Sequence, residues 1–214
     1  MAVDITKKLV CNSLGLKKYD YSQPGAYFMT ICTDNRICYF GNVVDGIMIS
    51  FTIIEDIREV WLEIPKRFQC VDLDAFIIMP NHIHGIIIIN KESSGLIHQS
   101  RRINCQNNPN LRLINQSLTK TKNWILTKSS QQTVGKIIRY FKAKSSKIIH
   151  ESGFQRFRWQ CNYYEHIVRS TKELNGIREY IINNPVKWEL DRENCLSKNF
   201  KMDLGKYFRD IFEK

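Results

Sequence analysis

Apolar and polar positions along the chain change period several times, and each change marks an element. Gly25 to Thr33 (GAYFMTICT) is dense in aromatic and β-branched residues and follows the turn-like Ser22-Gln23-Pro24-Gly25, which predicts a strand. Ile37 to Ser50 carries Asp45-Gly46 between two apolar runs, the pattern of a tight hairpin. From Phe51 to Phe68 the spacing switches to three and four, with Ile53, Ile54, Ile57, Val60, Trp61 and Ile64 in one stripe. This predicts an amphipathic helix ended near Pro65. Val71 to Met79 and His84 to Asn90 are β runs separated by a short break at Pro80-Asn81, as adjacent antiparallel strands would be.

Residues 91–132 change character: Ser, Asn and Gln dominate, and Lys91, Arg101, Arg102, Arg112, Lys120, Lys122 and Lys128 face a single acid, Glu92. The stretch reads as a basic, mobile insertion, the alternative being a partly ordered subdomain around Leu111 to Leu126. Helical spacing returns at Thr133, where Val134, Ile137, Ile138, Phe141, Ser145 and Ile148 share a face and Lys136, Arg139, Lys142, Lys144 and Lys147 crowd the remainder. Phe157 to Val168 reads as a strand. Ser170-Thr171-Lys172-Glu173 is a capping box opening a helix from Thr171 to about Asn183, which Pro185 stops. The order predicts an α+β fold of ferredoxin-like type, an antiparallel sheet with helices packed on one face. We expect one domain over residues 1–214, with a core at about 19–190, the insertion at 91–132 and a C-terminal extension at 191–214.

Composition adds a partner class. A chain of 214 residues with 43% hydrophobic content can bury a real core, and its net charge of +11 favours a polyanion, nucleic acid before anionic membrane. No apolar run reaches the roughly 18 residues of a membrane span, and the first twenty residues lack the apolar core of a signal peptide, so no membrane partner and a cytoplasmic location are expected. Seven scattered cysteines with no CxxC pair argue against a disulfide framework or thiolate zinc site, and reduced thiols are expected.

The candidate chemistry sits in MPNHIHG, Met79 to Gly85. Histidines at i and i+2 at the start of a strand point to one face while Ile83 points to the other, so His82 and His84 offer two nitrogen ligands and need a third group from another element. An alternative is a pair that merely caps polar backbone at a strand edge. Tyr180 and Asn184 lie four apart in the last helix and would share a face, although Pro185 disfavours helical backbone at Asn184. On these grounds alone Tyr180 is better read as a half-buried helix residue beside Ile177 and Ile181.

The segments Tyr19 to Thr33, MPNHIHGIIII, Val134 to Lys147 and Trp159 to Trp188 (WQCNYYEHIVRSTKELNGIREYIINNPVKW) together resemble the REP-associated tyrosine transposases, a branch of the single-tyrosine HUH transposases. The resemblance runs over most of Tyr19 to Trp188 and omits the insertion. It implies a ferredoxin-like nuclease in which His82 and His84 bind metal, Asn184 supplies the third ligand and Tyr180 is the nucleophile, forming a 5′-phosphotyrosine. The implied substrate is single-stranded DNA beside short palindromic hairpins. Mg²⁺ or Mn²⁺ suits phosphate cleavage better than zinc, because the ion must keep open octahedral positions.

Lys136, Arg139, Lys142 and Lys144 would then hold DNA phosphates, and Arg158, Trp159, Tyr163 and Tyr164 would stack on unpaired bases. A solvated charged helix is the plainer reading of the same lysines. His166 is a candidate auxiliary ligand or base, with a structural, hydrogen-bonded histidine the favoured alternative. The rival functions are a hairpin-binding protein that no longer cuts, an HUH replication initiator or nicking enzyme, and an unrelated metal-dependent hydrolase. A monomer and a homodimer are both compatible with the sequence.

Overall fold

The structure is a computed structural model, which describes residues 19–90, 132–199, 202–203, 206–207 and 211. Nearly all of the insertion expected at 91–132 lies outside those residues. The sequence folds as β1 (Gly25–Cys32), a hairpin of β2 (Gly41–Val44) and β3 (Ile47–Ser50), α1 (Ile53–Leu62), a short α2 (Ile64–Arg67), β4 (Val71–Met79), β5 (His82–Ile89), α3 (Val134–Glu151), β6 (Tyr164–Val168) and α4 (Thr171–Asn183). Four strands form an antiparallel sheet in the order β4-β5-β1-β6, and β2-β3 pair separately. Placing β5 between β1 and β4 is the split βαβ arrangement of a ferredoxin-like α+β fold.

The alternation of each strand divides the core in two. Tyr27, Met29 and Ile31 of β1, with Ile83 and Ile87 of β5, pack under α1 and α3. Phe28, Ile77, Met79 and Ile86 face the other way and pack against Ile177, Tyr180 and Ile181 of α4. The helices are therefore not all on one face: the two crossover helices share a face as expected, whereas α4 covers the opposite side. An apolar second face explains this, because Phe28, Ile77 and Ile86 would otherwise meet water.

Local details follow the residues. Asp45 and Gly46 both take positive φ, 50° and 73°, as a two-residue hairpin turn demands. The helix expected to end near Pro65 ends at Leu62, and Pro65, which lacks an N–H and would clash with a preceding helical turn, sits in the first turn of the separate, short α2. The expected strand at Phe157 begins only at Tyr164, since Phe157 and Trp159 are drawn into an aromatic cluster with Phe40 and Phe141. Cys32, Cys38, Cys70 and Cys195 are free thiols, but Cys161 is disulfide-bonded, against expectation. A disulfide needs only two Cβ atoms about 3.8 Å apart in space, which spacing along a chain does not reveal. Among the described residues no helix is long and apolar enough to cross a membrane.

Candidate active site

β5 delivers two imidazoles to one place. With Ile83 in the layer under α1 and α3, His82 and His84 project toward α4, and both are fully buried. Each ring is held by its Nδ1: that of His84 lies 2.9 Å from Thr30 Oγ1, on its partner residue in β1, and that of His82 lies 2.9 Å from Asn81 Oδ1. Fixing both Nδ1 atoms leaves the Nε2 atoms facing each other at 2.9 Å. Two nitrogens bound at right angles to one ion, about 2.1 Å away, would stand about 3.0 Å apart, so the pair already has the spacing of neighbouring ligands. Burial, then the charge of His84, pushes His82 down to about 3, which keeps its ring neutral and able to donate a lone pair at physiological pH.

The acid beside them is Asp191, which the sequence analysis did not single out. Its carboxylate comes within 3.9 Å of His84 Nε2, and His82, His84 and Asp191 place ligand atoms within 4.8 Å of one another. Asp191 Oδ2 accepts from Tyr180 Oη at 3.0 Å and from Asn184 Nδ2 at 2.7 Å, and its Oδ1 accepts from the Glu193 backbone N–H at 2.6 Å. Burial alone would raise this carboxyl, yet His84, His82 and Asn184 together hold it well below the usual carboxylate range.

α4 brings Tyr180 in from the opposite side. Its phenol oxygen lies 3.1 Å from His84 Nε2, and the ring packs edge-on against Phe28, which also contacts the His84 ring. Burial, then the charge of Asp191, pushes the Tyr180 phenol well above its ordinary value, so it is protonated in this arrangement. A cation between the phenol and the carboxylate would reverse that tendency. The helix is registered on the sheet by Arg178, two residues earlier, whose guanidinium grips Asp74 of β4 through Nε at 2.8 Å and Nη2 at 2.6 Å. Asp74 sits where the β4–β5 pairing slips between Leu73 and Phe76, an irregularity that turns its carboxylate toward α4.

Asn184 keeps helical dihedrals, φ −59° and ψ −40°, despite Pro185. It therefore stays one turn beyond Tyr180. Its Nδ2 is committed to Asp191, while its Oδ1 is buried with no hydrogen-bond partner among the described residues. A buried orphan oxygen beside two imidazoles and a carboxylate is a donor set that suits a hard divalent cation.

The other expected site residues divide. Lys136, Arg139 and Arg158 are exposed. Lys144 pairs with Glu63 at the end of α1. Lys142 turns inward, its Nζ donating to the carbonyls of Gln160 at 2.7 Å and Asn162 at 3.0 Å, and burial pushes it down to about 8. Trp159 is buried and donates from Nε1 to Ser145 Oγ at 3.0 Å, so its ring packs in the core. Tyr163 lies under Lys142, and Tyr164 is half-buried against Phe28 beside a surface pocket. His166 bonds Glu173 of α4 at 2.6 Å, the structural role its alternative described.

Comparison with known proteins adds the following. No family model matches the chain. Among solved structures, a REP-associated tyrosine transposase bound to a REP hairpin is 16% identical and covers 82% of this chain and 74% of its own, with a TM-score of 0.48. A transposase candidate from Deinococcus radiodurans is 14% identical, covering 79% of this chain and 95% of its own at a TM-score of 0.38. Neither likeness is near enough to bear on function. A Haemophilus influenzae (strain Rd) protein, described only as an uncharacterized protein, is 36% identical over 180 residues, which is 84% of this chain and 91% of that one. At that identity and coverage, the chain belongs to the same family as the Haemophilus influenzae protein.

Proposed function

We propose that the protein is a metal-dependent endonuclease and strand transferase of single-stranded DNA, a transposase acting beside short palindromic hairpins. One observation carries this reading: a tyrosine phenol lies 3.1 Å from one of two converging, buried imidazoles and 3.0 Å from the carboxylate that completes their cluster. That is the apparatus of phosphoryl transfer to tyrosine. The net charge of +11 and the exposed Lys136, Arg139 and Arg158 support a polyanionic substrate.

His82, His84 and Asp191 would hold Mg²⁺ or Mn²⁺, with Asn184 Oδ1 as a further oxygen donor. When bound, the ion would polarise a non-bridging phosphate oxygen and favour the phenolate. The Tyr180 phenol, hydrogen-bonded to Asp191, loses its proton to solvent and its Oη attacks phosphorus; the bond from phosphorus to the 3′ oxygen breaks, and that oxygen takes a proton from solvent. The products are a 5′-phosphotyrosine and a 3′-hydroxyl. One ester replaces another, so the 3′-hydroxyl of a second strand can reverse the step, which is strand transfer.

The test is a covalent adduct. Incubated with labelled single strands carrying short hairpins and Mg²⁺ or Mn²⁺, the protein forms a protein–DNA species stable on a denaturing gel, and Tyr180→Phe forms none. His82→Ala loses the adduct while retaining salt-sensitive binding. No adduct from the wild type across several hairpins, or an adduct from Tyr180→Phe, sinks the reading. A hairpin binder that does not cut is the second reading, favoured by the burial of Tyr180 to 7% exposure; hairpin binding without an adduct would select it.

A further inference from the structure

Beside the cluster, the chain turns sharply after β1. Asn35 and Arg36 both take left-handed backbone, φ 52° and 53°. Asparagine tolerates this readily, but an arginine there carries backbone strain, of the kind that gathers at binding sites. The turn drives the Arg36 side chain back toward the sheet, where it is only 23% exposed and its Nε meets Glu193 Oε2 at 2.7 Å. Asn81, whose Oδ1 orients His82, is tied by its Nδ2 to the backbone carbonyls of both Arg36 and Glu193. Arg36 and Glu193 therefore stand one hydrogen-bonded residue away from a candidate ligand.

Glu193 is held by two guanidinium groups. Its carboxylate, 3% exposed, receives Arg36 on one oxygen and Arg192 Nη1 on the other at 2.7 Å, while Cys32 Sγ approaches at 3.3 Å. Arg36 and Glu193 line a pocket together with Thr30, Cys32, Asn162 and Tyr164, and Thr30 is the residue that holds His84. A guanidinium at such an opening, with an aromatic ring beside it, can meet a phosphate of a strand lying across it.

We propose that Arg36 is a phosphate-binding residue of this site and that Glu193 occupies its guanidinium until a backbone phosphate of single-stranded DNA takes the carboxylate's place. This rests on the nuclease reading above and extends it with a contact for the strand on the pocket side of the histidines. Carboxylate and phosphate both fit the planar fork of arginine, so the exchange trades one anion for another without stranding a buried charge.

The proposal predicts opposite signs for the two members of one ion pair. Binding of a fluorescent hairpin-tailed single strand by the full chain is measured across a salt series. Arg36→Ala weakens binding about tenfold and lowers the salt slope by about 0.7, the value for one phosphate contact on a single strand. Arg36→Lys keeps the slope and recovers part of the affinity. Glu193→Gln, which removes the competing anion while keeping its shape, tightens binding severalfold. If the pair is only a strut, both variants lower the melting temperature and shift affinity in the same direction or not at all, and the proposal is overturned. The two readings fail separately: a wild type that shows these signs but forms no Tyr180 adduct refutes the nuclease and leaves the phosphate contact standing. An adduct-forming protein indifferent to Arg36→Ala does the reverse.

Discussion

Gly85 closes the MPNHIHG motif, and its role is open to a quantitative test. A Cβ at this position would lie 2.4 Å from Trp61 Cζ2, 2.9 Å from Trp61 Cη2 and 3.2 Å from Phe76 Cβ. The indole has little room to retreat: Trp61 is fully buried, stacked on Phe76 at 5.8 Å and edge-on to Phe141 at 5.3 Å. Overpacking of this kind costs about 1–3 kcal/mol. Alanine recovers about 0.5–1 kcal/mol of backbone entropy relative to glycine. Gly85→Ala should thus destabilise the protein by about 1–2 kcal/mol, read as a lowered urea midpoint at unchanged slope. Trp61→Phe removes the clashing Cζ2 and Cη2. It also removes Nε1, a buried donor without a partner among the described residues, which offsets part of the lost packing. In that background Gly85→Ala should cost less than about 0.5 kcal/mol, a coupling of about 1 kcal/mol between the two sites. Additivity within about 0.3 kcal/mol would show that Gly85 is not there to seat the indole.

Two further outcomes are expected. Mn²⁺ at about 100 times its Kd should stabilise the wild type by about 2.7 kcal/mol in thermal unfolding, reversibly with chelator, and His82→Ala should show no such shift; an unchanged shift in the variant would place the ion elsewhere. Asp74→Asn should cost about 1–2 kcal/mol at pH 7 by loosening the grip on Arg178. Burial raises the Asp74 carboxyl, but Arg178 outweighs it, so the folded value lies below the ordinary one. The contribution is therefore full above about pH 4 and is lost as pH falls through the lowered value, so the stability gap between wild type and variant should be flat from pH 7 to 5 and narrow below about 4. A gap that widens on acidification would contradict the assignment.

What the sequence made legible depends on how far apart the cooperating residues lie. The facing of His82 and His84 is a matter of two residues, and period-two alternation is enough to read it. Tyr180 and Asn184 are one helical turn apart, which is equally local. Pro185 argued against that pairing by a rule that holds for isolated backbone, yet Lys187 N–H bonds to the carbonyls of Asn183 and Asn184 and carries the turn past the proline. Trp159 looked available for bases, and Phe157 for a strand, because nothing in their spacing reveals a cluster completed by Phe40, more than a hundred residues earlier. Asp191 and Glu193 are the extreme case. They fall in a stretch after Pro185 with no hydrophobic period, where an acid reads as solvated surface. Their burial arises only because that stretch folds back over β5, Asp191 onto Tyr180 and Glu193 onto Arg36, the latter 157 positions away in sequence. The histidines and the tyrosine are thus fixed by strand and helix geometry, whereas the two carboxylates ride on an irregular segment held by the same hydrogen bonds that an incoming ion or phosphate would contest. Chemistry at this site would then depend on how readily that segment yields, a property that no local pattern encodes.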